Sequence, residues 1–453
     1  MKIRVSGKKI KAFLFLALGS HLVISAQDTL YLNLDNAVNM ALQNNHLLNI
    51  KRLQFDEKQQ KVNEDKIKFL PTVIIGGSYQ YNTNLPMLVM KQGQFGSLPY
   101  GGISIPLPVV DEVVELAKYN QYNAGVTLYQ PITQLGKIRA GVQVSKTELQ
   151  IARTEETKAS LQLKQSVEKL YFGLLIIQKQ IEEASIRVKL AESKLLDVGN
   201  AVLAGKTTES NRYGLAASAA DEEQSLLKLR IQYDDYAADL LQVTGLNASA
   251  DLILEPVAIE TLAENAPFID TSLANAAKKN NDLILASLTR AKSEYSIKAS
   301  NMSYLPDLGI LGSYTFQEGN LIYPRNTTFV GASLKWNLQD LLSTRTIKGQ
   351  RIYLKLQAEE NLANTREQVN KDIIKVYRKL KQSEELIKVA QKVVSFRKED
   401  LKIQTDRQAS GLNLESDLLA AKATMAKAES DFYAAQLNYR IALTELKILT
   451  GNY

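Results

Sequence analysis

The chain has 453 residues, 55 Lys+Arg against 48 Asp+Glu, no cysteine, and histidine only at positions 21 and 46. That length accommodates two or three ordinary domains, and the lack of cysteine excludes disulfide frameworks and thiolate metal sites within it. Five basic residues in the first 26 supply most of the net charge of +7; without them 50 basic groups face 48 acidic ones, a net +2 that leaves no basic footprint for nucleic acid.

Residues 1–26 have the order of a secretory signal peptide: MKIRVSGKKIK without an acid, the apolar run AFLFLALGSHLVI, then small Ser25 and Ala26 before Gln27. An N-terminal membrane anchor is the alternative, and it would want about 18 or more apolar residues. Beyond the signal only His46 remains, amid NNHLLN, which argues against histidine-based triads and metal sites. It reads as a solvated or capping residue.

The remaining chain reads as one plan written twice. Gly125/Gly331, Leu128/Leu334, Tyr171/Tyr377, Glu209/Glu415 and Thr244-Gly245/Thr450-Gly451 all differ by 206 positions without a gap. Upstream, Leu70-Pro71 and Leu305-Pro306 differ by 235, so copy one carries 29 extra residues between Tyr81 and Gly125. The expected organisation is a first repeat at 27–247, a linker at 248–271 and a second repeat at 272–453. Each repeat is read as helix, strand, loop, strand, long helix, break, helix.

Strands are expected near 71–82 and 122–132 in copy one and near 306–317 and 329–338 in copy two. Val73, Ile75, Gly77, Tyr79 and Tyr81 alternate with Thr72, Ile74, Gly76, Ser78 and Gln80, and the other segments alternate in the same way. Ten-residue segments with one apolar face and aromatic ends fit an outer-membrane β-barrel, and also a half-buried soluble sheet. Residues 82–121 form the copy-one excess, a surface-side loop with a short helix expected at DEVVELAKYN. It either covers a pore mouth or is plainly exposed.

In the long helices Ile373, Leu380, Ile387, Val394 and Leu401 recur every seven residues, the period of a left-handed supercoil. After the second break, a row of alanines at 421, 428, 435 and 442 leaves room for close helix approach. Each break carries a glycine and then Glu-Ser: Gly205 with Glu209-Ser210, and Gly411 with Glu415-Ser416. A sheet in lipid must close, and four strands cannot close a barrel, so several chains must each donate a part.

Doubled plan, LP before each first strand, YQPI after the second, G-x-x-x-E-S at each break and TG at each helix end together resemble the TolC family of outer-membrane efflux and secretion channels. The resemblance implies a homotrimer with a twelve-stranded barrel in outer-membrane lipid and a twelve-helix periplasmic tunnel. It also implies a periplasmic adaptor protein and an inner-membrane pump docking at the closed tip. By register, Gly205 and Gly411 are implied as hairpin-turn glycines, and Glu209, Ser210, Glu415 and Ser416 as turn and adaptor-contact residues. Asp417 falls on the family's first gate aspartate, with Asn211 as its copy-one mate. The second gate aspartate is Ala420 here, and the latch tyrosine and arginine fall on Gln408 and Asn413. A plain helix-dipole role for Asp417 is the alternative.

The expected fold class is therefore mainly α with membrane β: coiled-coil hairpins forming a periplasmic α-barrel, plus four strands per chain given to an oligomeric outer-membrane β-barrel. The expected function is the outer-membrane channel of a tripartite efflux or type I secretion system, with no catalytic residues, metal or cofactor. A periplasmic adaptor-like coiled-coil scaffold is the alternative; it would bear one hairpin and lack a pair of amphipathic strands in each half.

Overall fold

The computed structural model describes residues 30–246, 252–256 and 267–452. The signal-peptide segment 1–26 and most of the linker 248–271 lie outside them. Copy one runs β1 (Leu30–Leu32), α1 (Leu34–Asn44), α2 (His46–Ile67) and β2 (Thr72–Tyr81). An inserted ribbon follows: β3 (Met87–Met90), β4 (Ser97–Tyr100), β5 (Ile103–Pro106) and β6 (Glu112–Glu115). The copy ends with β7 (Ala117–Pro131), α3 (Leu135–Leu203) and α4 (Glu209–Thr244). After β8 (Leu252–Leu254), copy two runs α5 (Ile269–Lys279), α6 (Asn281–Met302), β9 (Asp307–Asn320), β10 (Asn326–Lys335), α7 (Leu338–Ala409) and α8 (Glu415–Thr450).

The duplication holds to the residue: α4 and α8 share bounds shifted by 206, while α1–α2 and α5–α6 share bounds shifted by 235. The long helices α3 and α7, 69 and 72 residues, each span roughly 100 Å at about 1.5 Å per residue. Their middles hold two related cores. Val167, Leu174 and Leu240 pack with Ala41 in the first; Ile373, Leu380 and Leu446, their mates at 206, pack with Ala276 in the second. All four alanines of the α8 row are buried, as close approach of α7 requires.

Two asparagines join the parts. Asn45 caps α2 by accepting from Leu48 N–H, while its amide donates to the Val243 carbonyl at the end of α4. Asn280 caps α6 by accepting from the Asp282 and Leu283 N–H groups and donates to the Leu449 carbonyl at the end of α8. One side chain thus satisfies an orphan donor of one helix and an orphan acceptor of another. His46 is the exposed first residue of α2, directly after its cap.

The main sheet is antiparallel, in the order β10-β9-β7-β2. Its registers bring the apolar rows together: Ile75 faces Val126, Val126 faces Tyr314, and Tyr314 faces Thr328. Directly opposite residues share a face, so Val73, Ile75, Tyr79, Leu128, Tyr314, Phe316 and Val330 form one continuous apolar surface, and all seven are exposed. Among the described residues no helix is long and apolar enough to cross a membrane.

The short helix expected at 111–120 is absent: Glu112–Glu115 is a strand pairing with Met87–Met90, and residues from Ala117 onward belong to β7. A ten-residue helix is marginal by itself, whereas Val113 and Val114 suit a strand with a partner. Further out, β4 pairs with β5 across Gly101-Gly102, both at positive φ, the geometry of a two-residue I′ hairpin. The copy-one excess is thus largely a folded ribbon.

Candidate functional site: the hairpin tips

Each tip begins with a helix that must stop. Gly205 and Gly411 have φ of +67° and +69°, a region that costs a side-chain-bearing residue energy and glycine almost nothing. Gly205 N–H donates to the Val202 carbonyl and Lys206 N–H to Ala201; Gly411 N–H donates to Gln408 and Leu412 N–H to Arg407. These are paired Schellman closures, which satisfy the last carbonyls of α3 and α7. The TG ends repeat the device at Gly245 and Gly451.

The restart differs between the copies. In copy one, Arg212 donates to the Glu209 carboxylate at 2.7 Å and lies over the Tyr213 ring. The bond and charge of Glu209 raise the Arg212 pKa above its ordinary value. Asn211 donates to the Thr207 hydroxyl at 2.7 Å and is exposed, as is Ser210. In copy two, Asp417 is exposed in the first turn of α8 and its carboxylate accepts the Leu414 N–H at 3.3 Å. That is capping of an orphan donor, favoured further by the helix dipole. Glu415 is exposed, whereas Ser416 is buried in its own hairpin at 7% exposure.

Residues on the expected latch positions do something local. Asn413 donates to Gln404 at 2.6 Å, which ties the turn to the last stretch of α7. Between α7 and α8 a 370 Å³ groove is lined by Arg397, Asp400, Arg407, Asn413 and Asp417. The copy-one groove, 660 Å³, is lined mainly by Leu195, Leu196, Val202, Leu203 and Tyr213, with Glu192 and the Glu209–Arg212 pair also on its wall, and Leu203 is 88% exposed. Arg397 and Arg407 stand where copy one has Ala191 and Ala201. Equal backbones therefore present one groove richer in apolar side chains and one richer in charged and polar ones.

The tip elements were legible in the sequence as glycine breaks, but the asparagine joints were not. Their signal is the 235 offset carried further upstream, which aligns NNHLL at 44–48 with KNNDL at 279–283 and so sets Asn45 on Asn280.

Comparison with known proteins fits this geometry. Residues 37–246 and 273–452 match the family model described as outer membrane efflux protein. No curated protein gives a significant match. Among solved structures, the outer membrane protein VceC from Vibrio cholerae is similar with a TM-score of 0.70 and 15% identity, over 92% of this chain and 96% of that one. The CmeC outer membrane channel of Campylobacter jejuni gives 0.72 and 16%, over 92% and 85%. The open state of the MtrE outer membrane channel of Neisseria gonorrhoeae gives 0.64 and 17%, over 92% and 89%. At such identities the structures speak for the fold; the family match, which spans both copies, speaks for kinship. The chain belongs to the outer membrane efflux protein family.

Proposed function

We propose that this protein is the outer-membrane channel of a tripartite efflux or type I secretion system. It is a passive conduit rather than an enzyme. The carrying observation is one molecule joining a sheet with an exposed apolar face and two open edges to helices roughly 100 Å long that end in glycine-turned tips. An open edge in lipid leaves backbone groups unpaired, so copies of the chain, three by family resemblance, close a common barrel. Helices α3, α4, α7 and α8 then continue the wall through the periplasm, and the tips meet a periplasmic adaptor and an inner-membrane pump. Glu209, Ser210 and Glu415 are the outward contact groups, Gly205 and Gly411 set the turns, and Ser416 supports the second tip from beneath.

Asp417 is assigned to the gate, with Asn211 as its uncharged mate. In a trimer Asp417 places one carboxylate per chain around the tip. Because Asp417 also caps α8, Asp417→Asn is the informative variant: it keeps an acceptor oxygen for Leu414 N–H and removes the charge. In planar bilayers Asp417→Asn is expected to lower the preference for cations over anions with thermal stability held. Unchanged ion selectivity would reject this ring as a determinant of conduction.

A further inference from the structure

We infer that the cavity where β10 passes into α7 binds the phosphate of an anionic phospholipid from the periplasmic leaflet of the outer membrane, through Lys137 and Lys335. This rests on the proposed function, which sets the four-stranded sheet in lipid and the long helices in the periplasm.

The ten residues of β10, at about 3.3 Å each and tilted by about 40°, rise about 25 Å, the height of an outer-membrane apolar band. Lys335 ends that strand and leads into α7, so it and Trp336 stand at the periplasmic edge of the lipid. Trp336 is the only tryptophan of the chain and is 56% exposed; indole rings favour this headgroup level.

The charge pattern changes at the same level. Residues 135–146 at the start of α3 carry Lys137, Arg139 and Lys146 and no acid, and residues 338–351 of α7 carry Arg345, Lys348 and Arg351 against Asp340. Among the described residues neither these six cations nor Lys335 has an ion-pair partner; Lys348 lies over the Tyr304 ring instead. Pairing resumes further down the helices, with Lys292–Glu148 at 3.5 Å and Lys355–Glu359 at 3.3 Å.

Two of the unpaired cations converge on one cavity of 290 Å³. It is lined by Lys137 of α3, by Lys335 at the end of β10 with Trp336 after it, and by Gln134, Ser303 and Asn337. Thr133 fixes its wall: the hydroxyl donates to the Pro306 carbonyl at 2.7 Å and accepts the Leu308 N–H at 2.9 Å. Gln134 makes no side-chain cap on α3, so its amide is a further donor. Asp307 lines the cavity and faces Lys335 across the β9–β10 register, so two ammonium groups meet one carboxylate.

The repeat does not demand either lysine. Ser343 stands at the place of Lys137 and Tyr129 at that of Lys335, where its ring comes so close to Gly309 that a Cβ there would lie 2.4 Å away. A place filled by a ring in copy one thus holds a cation in copy two. A dissolved anion moving down the tunnel has no need of unpaired cations confined to the lipid boundary, or of an indole beside them; a lipid phosphate uses both.

Native mass spectrometry of the purified mature protein in detergent, titrated with dioleoylphosphatidylglycerol and dioleoylphosphatidylethanolamine, tests the site. Phosphatidylglycerol adducts are expected to dominate at equal lipid concentration. Lys137→Gln and Lys335→Gln are each expected to lower that preference by about fivefold, and the double variant by more. Lys137→Arg/Lys335→Arg is expected to retain it, and Lys355→Gln, at a paired lysine further down α7, to leave it unchanged. Oligomer mass and thermal stability report that each variant folds.

Displacement of the lipid by millimolar inorganic phosphate would overturn the lipid reading in favour of a free-anion site. An undiminished phosphatidylglycerol preference in the folded Lys137→Gln/Lys335→Gln oligomer would overturn the site and leave the channel standing. A soluble monomer that takes up neither lipid would overturn both.

Discussion

Alanine at Gly451 or Gly245 is expected to destabilise the protein by on the order of 2–5 kcal/mol, against about 1–2 kcal/mol at Gly411 or Gly205. All four glycines hold positive φ, so each variant bears the left-handed backbone cost. Only the TG pair is also crowded. A Cβ at Gly451 would sit 2.4 Å from Lys279 Cβ and 2.6 Å from the Lys279 carbonyl oxygen, and one at Gly245 would sit 2.7 Å from Asn44 Cβ. Gly205 and Gly411 meet nothing within 4 Å. The crowding falls where Asn45 and Asn280 stitch helix ends together, so relief requires moving α1 or α5. Denaturant unfolding of the four variants checks the order; equal losses at all four would refute the close-approach argument.

Tyr171 carries the second large effect. It is fully buried at the middle of α3, and its hydroxyl lies within hydrogen-bonding distance of the Leu32 carbonyl at 3.0 Å and the Glu255 carbonyl at 2.7 Å. One side chain thereby holds β1 and the segment after β8 against the long helix. Tyr171→Ala is expected to cost about 3–5 kcal/mol through the lost ring, and Tyr171→Phe about 1–3 kcal/mol through unsatisfied acceptors.

Burial, helped by the charge of Glu255, pushes the Tyr171 pKa up from 10.0 to about 12. The folded state therefore prefers the neutral phenol. Its contribution is intact below pH 10 and is lost as pH rises from 10 towards 12. Stability measured across that alkaline window is expected to fall more steeply in the wild type than in Tyr171→Phe; parallel curves would contradict the assignment.

How much of this was legible in the sequence depends on how far away each cause lies. Periodicity and turn chemistry are local, so the alanine row of α8, the alternating strands and the glycine breaks could be read directly. The 206 offset predicted that what happens at Gly205 happens again at Gly411, and the backbone repeats it within 2° of φ. Asn45 and Asn280 were missed because their amide partners lie 198 and 169 residues away. The ribbon at 87–115 was missed because DEVVEL carries a helix-compatible pattern, and the deciding strand, Met87–Met90, lies beyond the window in which periodicity is judged. Chemical asymmetry of the tips was present in the letters at 191/397 and 201/407, but only the folded hairpins gather those positions into two different grooves.

The most direct measurement is the conductance of the purified mature protein in planar bilayers, taken with its oligomeric state by sedimentation. Discrete, long-lived conductance steps from an oligomer are the predicted result. A monodisperse soluble monomer that never conducts would contradict the account.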